Sequence, residues 1–219
     1  EMRRMPVNNM INKFRLRGFE RLDALFYQGA DVVALANTLL GKVLVTDFDG
    51  MVTAARIVET EAYNGVVDKA SHAYNGRRTK RTEVMYRQGG TAYVYLIYGI
   101  HQLFNIVTNV EGVPHAVLVR GAEPVLGIET MLTRTGKQQA DYTLTRGPGN
   151  VSKALGISTA HTGYDLLGEE IYLLDDGLRY NKAQIVVTPR IGVDYAGEDA
   201  LLPYRFYVAG NKYVSGKVR

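Results

Sequence analysis

The chain contains no cysteine, which excludes disulfide frameworks, thiolate zinc sites and cysteine nucleophiles and fits a reducing compartment. It has no long apolar run. Its hydrophobic stretches are short and interrupted, well under the ~20 residues a membrane-spanning helix needs. The basic N-terminal stretch EMRRMPVNNMINKFRLRGFER lacks the apolar block of roughly 7 to 15 residues that a secretory signal requires. A soluble intracellular protein is therefore expected. Gly-rich phosphate loops of the GxGxxG and Walker types are missing, as are internal repeats, low-complexity segments and linkers.

What is present is a chain of 219 residues with 46% apolar content, enough to bury a sizeable core and, by its length, to form one domain. The net charge is +4, yet residues 1–21 carry six Arg or Lys against two Glu, leaving twenty of each sign beyond them. The body is thus neutral, and any preference for a polyanion must come from local patches or from the N-terminal stretch. One such patch is NGRRTKRTEVMYRQGG, residues 75–90, where Arg77, Arg78, Lys80, Arg81 and Arg87 stand against Glu83 alone. A solvated loop is the ordinary reading of such a charge run. Residues 1–20 show neither a helical stripe nor a strand pattern, so a basic, poorly ordered tail is expected there, followed by one domain over residues 21–219.

In ADVVALANTLLG, Asp31 can cap a helix with Val32, Leu35, Ala36 and Leu39 on one face and Gly41 at its exit. KVLVTDFDGMVTAARIVETEA reads as two strands joined at Asp49-Gly50, and TAYVYLIYGIHQLFNIVTN as a second pair around Gly99. HAVLVRGAEP is a further strand leading at Pro124 into a helix, and RGPGNVSKALGI supplies a turn and a short helix that Asn150 can cap. EEIYLLDDG, AQIVVTP and YRFYVAGNKYVS add strands. Strands outnumber helices and several are joined by tight turns, which predicts an α+β architecture: a mixed, largely antiparallel sheet with helices packed on it.

The stretch ARIVETEAYNGVVDKASHAYNG, residues 55–76 within the second hairpin arm and beyond, carries the chemistry. Alternation puts Glu59 and Glu61 on one strand face. Paired carboxylates suit acid/base work or a metal, but a metal reading that recruits His72, His101 or His115 lacks any established ligand spacing. The alternative is structural: Glu59 pairs with an arginine and Glu61 ends the strand. His72 alone reads as a satisfied structural residue, and Tyr63, Tyr93 and Tyr95 as strand residues that pack a core. Tyr98 differs, because a large aromatic at a hairpin tip has little core to enter and suits contact with something external.

Taken together and in order, RIVETEAY at 56–63, SH at 71–72, GTAYVYLIYG at 90–99, Asn105, VLVRGAEP at 117–124, RGPGNVSKAL at 146–155, PRIGV at 189–193 and RFYVAGN at 205–211 resemble the alkyladenine (3-methyladenine) DNA glycosylase family. The resemblance runs from about residue 22 to the C-terminus, with His101 departing from the tyrosine of eukaryotic relatives. It implies a single domain with a curved, partly open, barrel-like sheet flanked by helices and a protruding DNA-binding hairpin. It also implies a monofunctional hydrolase of base-excision repair, without cofactor or metal, in the cytoplasm or nucleoid (nuclear in a eukaryote). Its partner would be double-stranded DNA containing damaged purines, with no membrane partner, and the protein would act as a monomer. The damaged nucleotide would be flipped out and its N-glycosidic bond cut, leaving an abasic site.

By the same resemblance Glu61 is the general base that activates water, and Arg120 holds that water with the backbone carbonyl of Ile191. Tyr63, His72 and Tyr95 enclose the base, and Asn105 disfavours normal guanine. Tyr98 is the wedge that fills the vacated stack, while Arg77, Arg78, Lys80 and Arg81 meet the DNA backbone. Rival readings are a glycosylase/lyase acting through Lys69 or Lys80, a catalytically idle lesion-binding module, and a metal-dependent hydrolase.

Overall fold

A computed structural model describes residues 16–216. Its spine is a hairpin of β2 (Val43–Phe48) and β3 (Met51–Tyr63). The turn between them needs two successive residues with positive φ, and Asp49 and Gly50 supply them at 52° and 77°. β3 is unusually long. Its first half pairs with β2, its residues Glu59–Glu61 pair with β9 (Arg205–Val208), and β6 (His115–Leu126) runs along its other edge. Register shifts against β6 at 54/55, 57/59 and 59/60 bend the strand where it changes partner, as bulges do.

The remaining strands extend this spine. β5 (His101–Thr108) and β4 (Thr91–Ile97) follow β6 outward, while β7 (Ile171–Asp175) and β1 (Glu20–Arg21) follow β2, and β8 (Ile185–Thr188) pairs with β9. Every pairing among the described residues is antiparallel. The curled sheet makes a half-barrel, the α+β arrangement that short turns between strands favour.

Helices cover one face. Beside the one-turn α1 (Ala24–Tyr27), α2 (Val32–Thr38) and α4 (Pro148–Leu155) bury Val32, Leu35, Ala36, Val151, Ala154 and Leu155. The oxygen of Asp31 accepts the Ala34 amide, the expected cap. Val94, Phe104, Ile106, Val117 and Val119 point at this helical layer, and the residues between them, Tyr93, Tyr95, Asn105 and Leu118, point the other way. That second face carries the cavity.

Three expectations need correction. The helix after Pro124 begins later: Pro124 and Leu126 still pair with Ala55 and Ala54 as part of β6, and α3 spans Ile128–Thr135. Pro124 is tolerated in the strand because it lies at a register shift, where a missing N–H costs little. Asn150 does not cap α4. Gly147 occupies that position with Pro148 at the first helical residue, and the Asn150 side chain donates back to the Arg146 carbonyl. Of the tail expected over residues 1–20, residues 1–15 lie outside the described residues. Leu16 is buried with Val43 and Val45, Phe19 packs against them, and Glu20 pairs with Asp175, so order begins before Leu22.

Candidate active site

A single row of cross-strand partners builds the site. Tyr93 pairs with Asn105, Asn105 with Leu118, Leu118 with Glu61 and Glu61 with Arg205. Neighbours in register share a face, so five strands deliver an aromatic, an amide, an apolar floor, a carboxylate and a cation in one line. Above the row lies a cavity of about 720 Å³, lined by Tyr63, His72, Tyr93, Tyr95, Tyr98, Asn105, Arg120, Ile191 and Tyr195 among others. This size suits a ligand no larger than a nucleoside or a drug-sized molecule.

Glu61 has no solvent exposure and sits directly behind three residues that line the cavity. Its Oε1 accepts the Ile191 backbone N–H at 2.7 Å, and its Oε2 accepts the Tyr63 hydroxyl at 2.9 Å and Arg120 Nη1 at 3.5 Å. A carboxylate offers about four acceptor positions, so one remains for a further donor. Burial, and then the negative charge of Glu61, push the Tyr63 phenol well above its ordinary pKa and keep it a donor. For Arg120, burial opposes the charge, but Glu61 and Glu59 outweigh it and hold the guanidinium above its usual value.

Glu59 is the second buried carboxylate, and it is fully used by its neighbours. It accepts from Arg205 Nε at 2.7 Å, Arg120 Nε at 3.3 Å, Ser215 N at 2.6 Å and Ser215 Oγ at 3.0 Å. Arg120 completes the ring with a bond to Ser215 Oγ at 3.2 Å. Arg205, Glu59, Arg120 and Glu61 thus alternate in sign, which offsets the desolvation that each buried charge would otherwise suffer. The structural reading of Glu59 holds. Glu61, however, does not end β3, which continues to Tyr63.

On the far wall, His72 and Tyr95 meet edge to face with centroids 4.6 Å apart, and Tyr93 and Tyr95 lie at 5.5 Å. The Tyr93 hydroxyl lies 2.8 Å from His72 Nδ1. Burial, with the charges of Arg81 and Arg77, lowers His72 to about 4, so its ring is neutral at pH 7. The amide nitrogen of Asn105 donates to the carbonyls of Tyr93 and Leu103 at 3.3 and 3.2 Å, which fixes its orientation. Tyr98 stands 84% exposed at the hairpin tip with φ 53°. Below the tip, the hairpin reaches α4 because residue 149 is glycine: a Cβ there would come within 2.9 Å of His101 Nδ1.

The basic loop is less uniform than its sequence. Arg77, Arg78, Lys80 and Arg81 are all exposed, but Arg78 forms a two-pronged bond with Glu83 at 2.8 Å and lies over the Tyr86 ring. Arg77 lines the cavity, and Arg81 lies 5.8 Å from the Tyr95 ring centroid. Among the described residues no group of three or more His, Asp or Glu side chains is arranged around a metal position, and no helix is long and apolar enough to cross a membrane. Lys69 Nζ is tied to Glu198 at 2.7 Å.

Sequence reasoning assigned no role to Arg205, Ser215 or Asp68; Tyr93, read as a residue that packs a core, is buried in one with Val84 and Met85 and also lines the cavity. Arg205 lies in RFYVAGN, a motif matched without a role for its first residue, whereas nothing local marks Ser215 or Asp68.

Comparison with known proteins identifies the family. The family model for methylpurine-DNA glycosylase (MPG) matches residues 25–212. Proteins of Desulfitobacterium hafniense, Alkaliphilus oremlandii and Clostridium perfringens that carry the name "Putative 3-methyladenine DNA glycosylase" are 44%, 46% and 43% identical to this chain. Each alignment covers 90% of this chain and 100% of the relative.

Proposed function

The chain belongs to the methylpurine-DNA glycosylase family and is a DNA glycosylase, and from that premise we propose that it hydrolyses the N-glycosidic bond of alkylated or deaminated purines with Glu61 as the base. The observation that carries this reading is the buried Glu61 carboxylate, held by the Ile191 amide, Tyr63 and Arg120 at the edge of an aromatic cavity. A water entering beside Arg120 would meet the remaining acceptor position of Glu61. The carboxylate draws a proton from this water as its oxygen attacks the anomeric carbon, and the bond to the purine breaks with its electron pair leaving on the base. The sugar gains positive charge on the way, which a nearby carboxylate favours.

The base is to be gripped by Tyr63, Tyr95 and His72. A cationic methylated purine gains from the electron-rich aromatic faces. Asn105, tethered to two carbonyls, cannot swing aside for the exocyclic amino group of guanine. Tyr98 fills the stack left by the flipped nucleotide, which offsets an unpairing cost of a few kcal/mol. The substrate is duplex DNA, and the enzyme acts as a monomer without cofactor. A monofunctional mechanism is supported by Lys69, whose amine is held away in an ion pair with Glu198 at 2.7 Å.

The test uses duplexes with hypoxanthine, ethenoadenine or 3-methyladenine. Wild-type protein should release free base from at least one of them, and Glu61→Gln should bind the same duplexes while releasing none. Release at the wild-type rate by Glu61→Gln would remove the base assignment. A borohydride-trapped DNA adduct would replace the monofunctional mechanism with a lyase.

A further inference from the structure

We infer that Arg190 and Asp68 form a positioning pair that fixes Glu61 for reaction, an inference that rests on the reading of Glu61 as the base. Both side chains are essentially without solvent exposure. The Arg190 fork meets Asp68 at 2.5 and 2.8 Å, and its two outer nitrogens also donate to the carbonyls of Ala62 at 2.9 Å and Asp199 at 3.1 Å. The guanidinium carbon lies 4.9 Å from the Tyr63 ring centroid and 5.1 Å from that of Tyr204. Asp68 in turn accepts the amides of Asn64 at 2.9 Å and Ala70 at 3.0 Å.

The consequence lies in what these contacts hold. Ala62 stands between Glu61 and Tyr63. Residues 64–70 lead into His72, and Arg190 immediately precedes Ile191. Two of the three donors on the Glu61 carboxylate, the Tyr63 hydroxyl and the Ile191 amide, are therefore anchored by one guanidinium: one through its ring, the other through the adjacent peptide. Arg190 Nε is buried without a partner, so the fork is seated by its outer contacts while one donor goes unmet. A planar fork gives a fixed geometry that a lysine ammonium cannot reproduce. A pair placed only for stability has no need of it, since apolar replacements often serve as well. Neither Arg190 nor Asp68 lines the cavity, so the pair acts through Glu61 and touches no substrate.

The experiment measures single-turnover release of hypoxanthine and, separately, affinity for a duplex carrying a tetrahydrofuran abasic analogue. Arg190→Gln should slow release by about 10- to 100-fold, the scale of a small misplacement of a reacting group. Affinity should stay within about threefold, because the lost interaction is one made in the transition state. Arg190→Lys should recover part of the rate, and Asp68→Asn, which keeps volume and an acceptor oxygen, provides the second variant if Arg190→Gln does not fold. Release and affinity falling by one common factor would overturn the inference, as would wild-type release by folded Asp68→Asn and Arg190→Lys while Glu61→Gln is inactive. Collapse of all three variants would mark the pair as structural and overturn it too. Wild-type release by Glu61→Gln, in contrast, removes the base assignment itself.

Discussion

His72 shows how much of a residue's chemistry is set by its surroundings. Burial, joined by Arg81 and Arg77, takes it from 6.5 to about 4. Between those values the unfolded chain binds a proton that the folded protein does not. The folded state therefore loses stability as pH falls from 6.5 toward 4 and keeps it above 6.5. The contribution is roughly 3 kcal/mol at most. In a proton NMR titration the His72 ring signals should move with a midpoint well below 6, and His72→Asn should flatten the loss of stability over this range. A midpoint at or above the ordinary histidine value would contradict the burial described for it. The same neighbours bear on the reaction: a neutral ring at pH 7 can stack on or hydrogen-bond a base without repelling a cationic one.

At the scale of elements, the β4–β5 hairpin carries a conflict between folding and use. Tyr98 adopts φ 53°, a conformation that costs a non-glycine residue about 1 kcal/mol or more, and it buries little in return. Asparagine tolerates that conformation better. Tyr98→Asn should therefore keep or raise the melting temperature while excision at limiting DNA falls by about tenfold or more, as expected for loss of a wedge. If excision is unchanged, the tip has no such role. The other decisive element is β3, whose change of partner from β2 to β9 brings Arg205 opposite Glu61. Its bulges against β6 are what let one strand serve both a sheet interior and the candidate site.

Across the whole molecule, positive and negative charges balance outside the first 21 residues, so attraction to DNA must come from local patches such as the loop beside the cavity or from the N-terminal stretch. Arg78 already spends its fork on Glu83, whereas among the described residues no ion pair to a carboxylate is made by Arg77, Lys80 or Arg81. Each phosphate contact contributes a slope of about −0.9 to log K against log salt. Lys80→Ala should make the measured slope shallower by about that amount and Arg78→Ala by less. Equal effects from both would mean that the Glu83 bond opens on DNA.

Sequence alone determined the parts that depend on local pattern. Alternation placed Glu59 and Glu61 on one face, Asp-Gly marked the first hairpin, and the ordered motifs pointed to the family, because periodicity and turn chemistry act over a few residues. It misplaced the start of α3 and the cap of α4, where pairing of Pro124 within β6 and the placement of Gly147 overrode local preference. Only the tertiary structure decided which side chains meet. Arg205 reaches Glu59 across 146 positions, Ile191 reaches Glu61 across 130 and Arg190 reaches Asp68 across 122. Such contacts are products of sheet register and chain closure, and they leave no local trace in the order of residues.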